Sequence, residues 1–262
     1  MGADQKGLLL IASDPEATES NLASLAEAAY WEVRREVAQN LKTSTGVLAQ
    51  LAKDEYWYVR EGVALNTHTP AETLLELGKD ERRHVRQAVG RNPNTPQELL
   101  MVLAQDEDED IRSCVAMNSN TPSTLLATLA KDRNEDVRCG VARNPGTAPD
   151  VLATLAQDID MGVREAIAGN PHTPQDILGG LVRDKEEDVR YQVAGNEATS
   201  ESDLAKLARD RCDDVRLAAA GNRRTPAEAL AKLVADKSEI VQGVAARNPH
   251  TPRGAERKRL GL

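Results

Sequence analysis

The chain has 262 residues, a formal net charge of −9 and 40% hydrophobic residues, with no phenylalanine. The acidic balance excludes nonspecific attraction to nucleic acid or to an anionic membrane surface, since both need a basic excess. The apolar content comes mainly from Ala, Leu and Val, which suits elements that pack closely and identically rather than a core built on large rings.

The opening segment, MGADQKGLLLIASDP, holds an apolar run too short for a signal-peptide core or a membrane span. Lys6 stands where the myristoylation pattern needs Ser or Thr. Cys114, Cys139 and Cys212 show no metal-type spacing and cannot pair evenly, so a reducing cytoplasm is the expected compartment. Residues 1–28 read as a degenerate capping unit. Leu22, Leu25 and Ala26 sit one period before Leu48, Leu51 and Ala52, but the Val-Arg pair and the Asn of later units are missing.

Residues 29–252 repeat with a constant period of 26. Val-Arg (or Ile-Arg) recurs at Val33, Val59, Val85, Ile111, Val137, Val163, Val189 and Val215, and Val241 is followed by Gln242. An asparagine follows each, from Asn40 to Asn248, and then a threonine, from Thr43 to Thr251. A fixed period of this length predicts stacked units, none able to bury its apolar face alone, in an elongated all-α solenoid.

Each unit reads as two helices. The first is expected to start at the threonine, where Thr95-Pro96-Gln97-Glu98 has the form of a capping box. Leu100, Leu103 and Ala104 then mark a buried face, and the helix should run about three turns, to near Asp106. A polar link leads to a second, shorter helix in which Val85 and Val89 share a face, ended by Asn-Pro. The last ten positions, 253–262, are basic and lose the leucine register, as a tail or cap would.

Residues one period apart form columns. The arginine column has the form of a phosphate ladder, but an aspartate stands six positions before each arginine from Arg60 onward. The stronger reading is a structural ladder of charge-assisted hydrogen bonds between neighbouring units, with Asp54, Arg60, Asp80, Arg86, Asp106, Arg112, Asp132 and Arg138 as members. Asn66, Asn92, Asn118 and Asn144 belong to a second structural column, because Asn bonds readily to turn backbone. His68, His172 and His250 share a loop column but lie too many units apart to bind one ion.

Specificity is expected where the units differ. The positions before each valine read Tyr30-Trp31-Glu32, Tyr56-Trp57-Tyr58 and Arg82-Arg83-His84, then mostly acids such as Asp108-Glu109-Asp110. These residues either cover the N-terminal end of the core or form a contact patch, for which Trp, Tyr and Arg are the usual anchors.

The consensus VRxxVAxNPxTPxxLLxxLAxD resembles the leucine-rich repeat variant family of bacteria. The resemblance implies a right-handed superhelical solenoid of paired helices, one α and one 3₁₀, with no β-sheet. The Asp and Val-Arg register is also similar to HEAT-type repeats, where such a pair forms an internal ladder. One family architecture carries an N-terminal cysteine cluster that holds an iron–sulfur centre. This chain has no cysteine before Cys114, so that activity is not implied.

The sequence shows no nucleophile elbow, phosphate-binding glycine loop or zinc signature. The expected function is a non-enzymatic scaffold that binds a protein or peptide, without cofactor, metal or membrane. Its expected contact residues are Tyr30, Trp31, Tyr56, Trp57, Tyr58, Arg82, Arg83 and His84. The alternative is a nucleic-acid-binding superhelix that uses the arginine column, against which the acidic balance and the accompanying aspartates count.

Overall fold

The structure is a computed structural model and describes residues 3–252. It contains nineteen helices and no strand among the described residues. The chain divides into two compact units, Met1–Gly146 and Thr147–Leu262. Each is an all-α solenoid of helix pairs. The basic segment 253–262 lies outside the described residues.

Every repeat pairs a leucine helix, such as Gln97–Leu103, with a valine helix, such as Arg83–Arg91. Val85 and Val89 stand one turn apart and are fully buried, as are Leu100 and its counterparts Leu48, Leu74 and Leu126. Valine helices pack mainly on the valine helices of adjacent repeats. That contact is tight enough to explain the small side chains. A Cβ added to Gly140 would lie 2.9 Å from Ala116 Cβ and 3.2 Å from the Ser113 carbonyl oxygen. Cys114, one period before Gly140, is a buried free thiol in the same crowded column.

Three local expectations change. Valine helices have 9 residues and leucine helices 7, so the helix expected to be shorter is the longer. Gln105 and Asp106 N–H bond Val102 and Leu103 carbonyls in a tighter i→i+3 turn, which ends the leucine helix at Leu103 rather than near Asp106. Second, Thr95 does not cap. Pro96, extended at φ −58 and ψ 144, is the N-cap and supplies no side-chain bond. The fully buried Thr95 hydroxyl instead donates backwards to the Val89 carbonyl at 2.6 Å, which satisfies the end of the preceding helix. Third, both helices are α; 3₁₀ geometry appears only as single turns at their ends.

The first described helix joins the same pattern. Ala3–Ala12 packs on Trp31–Gln39, and Asn40 donates to the Ala12 and Asp14 carbonyls at 2.9 and 2.8 Å. Asp14 sits one period before Asn40, and its carboxylate accepts the Glu16 N–H at 2.9 Å, as each later asparagine does two residues on. An ionised Asp carboxylate accepts but does not donate, so of the asparagine's bonds Asp14 keeps only the one that closes its own turn.

Candidate interaction surface

The arginine column is fully engaged. Arg60 Nε and Nη2 donate to both oxygens of Asp80, twenty residues ahead, at 2.5 and 3.0 Å. Its Nη1 donates to the carbonyls of Asp54 and Glu55 at 2.7 and 3.2 Å. Arg86–Asp106, Arg112–Asp132, Arg164–Asp184, Arg190–Asp210 and Arg216–Asp236 repeat the bidentate pair at 2.7 Å, and Arg34–Asp54 does so at 2.5 Å. Arg138 Nη1 takes the Asp132 carbonyl at 2.9 Å. The carboxylate partner is therefore the aspartate of the following repeat, and the aspartate six positions earlier contributes its carbonyl. Both ends of the column fit this offset. Gln242 lacks a guanidinium where position 262, twenty ahead, is Leu, and its amide keeps the carbonyl bond to Asp236.

Desolvation and pairing oppose each other along the ladder. At Asp236 the hydrogen bond from Arg216 outweighs burial, and with the Ser238 N–H it holds the carboxyl below the usual range. At Asp132 burial is the largest single influence and disfavours ionisation. Bonds from Arg112 and the Asn134 N–H, with the Arg112 charge, reverse it and leave the carboxyl lowered.

Asparagines stitch the same repeats at the next turn. Asn66 Nδ2 donates to the Ala38 and Asn40 carbonyls at 2.8 and 3.0 Å, and its Oδ1 accepts the His68 N–H at 2.8 Å. Asn92, Asn118 and Asn144 make the same three bonds to Ala64 and Asn66, to Gly90 and Asn92, and to Ala116 and Asn118, each closing its own turn. Such amides have no free donor for a ligand. The His68 ring is used locally, 2.7 Å from the Leu41 carbonyl.

The aromatic residues form something the sequence did not disclose. Trp31 and Tyr58 stack with centroids 4.9 Å apart, Tyr58 and Trp57 at 3.7 Å, and Trp57 and the His84 ring at 4.8 Å. Tyr56 joins Trp31 at 6.2 Å and lies under the Arg34 guanidinium at 5.6 Å. The result is a run of near-parallel rings across three repeats, along the N-terminal ends of Trp31–Gln39, Trp57–Leu65 and Arg83–Arg91. Val33, Val59 and Val85 beneath are fully buried, while Tyr30, Tyr56 and Tyr58 remain 41, 42 and 39% exposed. Next to His84 the run meets an open groove of about 620 Å³, lined by Arg82, Arg83, Asp108 and Glu109. Arg83 is turned along that groove, 2.9 Å from Asp108 and 3.3 Å from Asp110. Tyr30 stands beside the run as the N-cap of Trp31–Gln39.

The leucine-rich repeat variant profile matches residues 83–108 and 135–160. Those two repeats match the leucine-rich repeat variant. A solved structure described as a leucine-rich repeat variant with a novel repetitive protein structural motif is 27% identical, with a TM-score of 0.62, over 95% of this chain and 97% of that one. The Escherichia coli protein YibA is 18% identical with a TM-score of 0.48, over 94% of this chain and 97% of its own. No curated protein matches the chain. The two matched stretches contain the ladder and stitch residues Arg86, Asn92 and Asp106 and Arg138, Asn144 and Asp158, whereas the ring run lies mostly before residue 83. No helix among the described residues is long and apolar enough to cross a membrane.

Proposed function

We propose that the protein is a non-enzymatic scaffold whose aromatic edge binds a segment of another protein. The carrying observation is the continuous run Tyr56–Trp31–Tyr58–Trp57–His84. In a chain with 2% aromatic residues, most of the rings are spent on one half-exposed edge. Stacking occupies most ring faces, so the edge offers a rigid apolar ridge with phenol hydroxyls, the kind of anchor that loses little entropy on binding. Arg82 and the acids of the adjoining groove supply a polar rim.

The opposing reading, phosphate binding by the arginine column, is poorly supported, because those guanidinium groups already donate to carboxylates and carbonyls and are largely buried. The test is affinity capture from the native host with the wild-type chain and with Trp31→Ala/Trp57→Ala. A partner recovered only by the wild type, while both proteins keep the same far-UV circular dichroism, supports the aromatic edge. A partner retained by the variant places the contact elsewhere.

A further inference from the structure

A second surface lies in the unit Thr147–Leu262. A groove of about 500 Å³ there is lined by Arg183, Lys185, Lys206, Arg209 and Arg211. All five are exposed. The groove also holds Asp184 and Asp210, but the hydrogen bonds of these carboxylates go first to Arg164 and Arg190 at 2.7 Å. Lys206 lies 2.8 Å from Asp203, and Lys185 3.7 Å from Glu186. Arg183, Arg209 and Arg211 form no ion pair among the described residues. An excess of unpaired cations in one groove needs a cause in a chain of net charge −9.

Helix dipoles supply part of one, since Arg183 and Arg209 follow the C-terminal ends of Gln175–Leu181 and Glu201–Leu207. They do not account for Lys185 and Arg211. In the other unit the same position of the repeat, directly after the ladder aspartate, carries Glu55, Glu81 and Glu107, and then Arg133. The architecture accepts either sign there, so the cations of this groove are not demanded by the fold.

We propose that the groove docks an acidic, extended segment of a protein partner. An acidic border follows the cations in sequence: exposed Glu187 and Asp188 open the helix Glu187–Gly195, and exposed Asp213 and Asp214 open Asp213–Gly221. A nucleic-acid strand or an anionic bilayer carries unbroken negative charge and meets that border. A peptide places carboxylates only over the cations. The pitch also fits. Packed helices lie about 8–10 Å apart, and a polyproline II segment brings every third residue to one side at about 9 Å. Carboxylates three residues apart therefore fall on the Lys185 and Arg211 positions of successive repeats.

Fluorescence anisotropy of the full chain with a labelled peptide of repeated Glu-Pro-Ala tests this, with the Gln-Pro-Ala peptide and a single-stranded oligonucleotide of equal length alongside. The expected result is saturable binding of the glutamate peptide alone, lost at about 1 M salt, where the screening length falls to about 3 Å. Lys185→Glu/Arg211→Glu, which installs the residue found at Glu55, Glu81 and Glu107, is expected to weaken it by about tenfold or more with unchanged circular dichroism. Trp31→Ala/Trp57→Ala is expected to bind the peptide as the wild type does, which separates this site from the aromatic edge. Equal binding of the glutamine peptide, equal or tighter binding of the oligonucleotide, or an unaffected double charge reversal overturns the proposal.

Discussion

Arg60 takes its carboxylate from Asp80 in the following repeat and only a carbonyl from Asp54 in the link before it. One guanidinium thus ties a link, its own valine helix and the end of the next leucine helix. The side chains are 13 and 8% exposed, so water screens the pair weakly. Asp80→Ala leaves a mostly buried cation without its partner and is expected to cost about 3 kcal/mol. Glu55→Ala, which removes no bond its side chain makes to the ladder, should change stability by less than about 0.5 kcal/mol. Urea denaturation followed by circular dichroism compares the two.

The acid limb of stability should follow the ladder. Folded Asp236 sits below its unfolded value of about 3.9, held down first by the Arg216 hydrogen bond. A depressed carboxyl contributes in full above the unfolded value, and the contribution is lost as pH falls through the folded one. Stability is therefore expected to be level near neutrality and to decline only below about pH 4. Arg216→Gln should move the acid-unfolding midpoint upward, read by circular dichroism along a pH titration. An unchanged midpoint would show that this pair does not govern the acid limb.

The threonine and the glutamate of the apparent capping box should behave oppositely. The Thr95 hydroxyl is buried and serves the Val89 carbonyl, so Thr95→Val is expected to lose about 1–2 kcal/mol. Glu98 is exposed and forms no cap bond, so Glu98→Ala should be neutral within about 0.5 kcal/mol. Similar losses from both would restore the capping box.

Two helical glycines give a further contrast. A Cβ on Gly180 meets nothing within 4 Å, whereas on Gly140 it lies 2.9 Å from Ala116. Gly180→Ala should stabilise by about 1 kcal/mol through helix propensity. Gly140→Ala should destabilise by about 1–3 kcal/mol, because two backbones must separate. Thermal melts of the two variants decide it.

Much of this molecule is written in its register. The unbroken period of 26 fixes an all-α stack, its buried valine and leucine faces and the columns that recur, because identical units must present identical surfaces to their neighbours. The offset of the ladder left a trace there too, although the six-position spacing points first to the aspartate behind each arginine from Arg60 onward. Arg34 is an arginine although position 28 is Ala, and Gln242 replaces the arginine although Asp236 is present; only pairing toward the next repeat leaves neither end unmatched.

What the sequence could not decide were the choices a group makes among several partners within reach. Thr95 can cap forward or bond backward, and burial against the end of the valine helix selects the carbonyl behind it. Rings at Trp31, Tyr58, Trp57 and His84 could have covered the core or stood apart; the close approach of successive valine helices draws them into one stack. Local chemistry names the donors and the rings. Which acceptor or neighbour each one meets depends on distances that exist only once the repeats are packed.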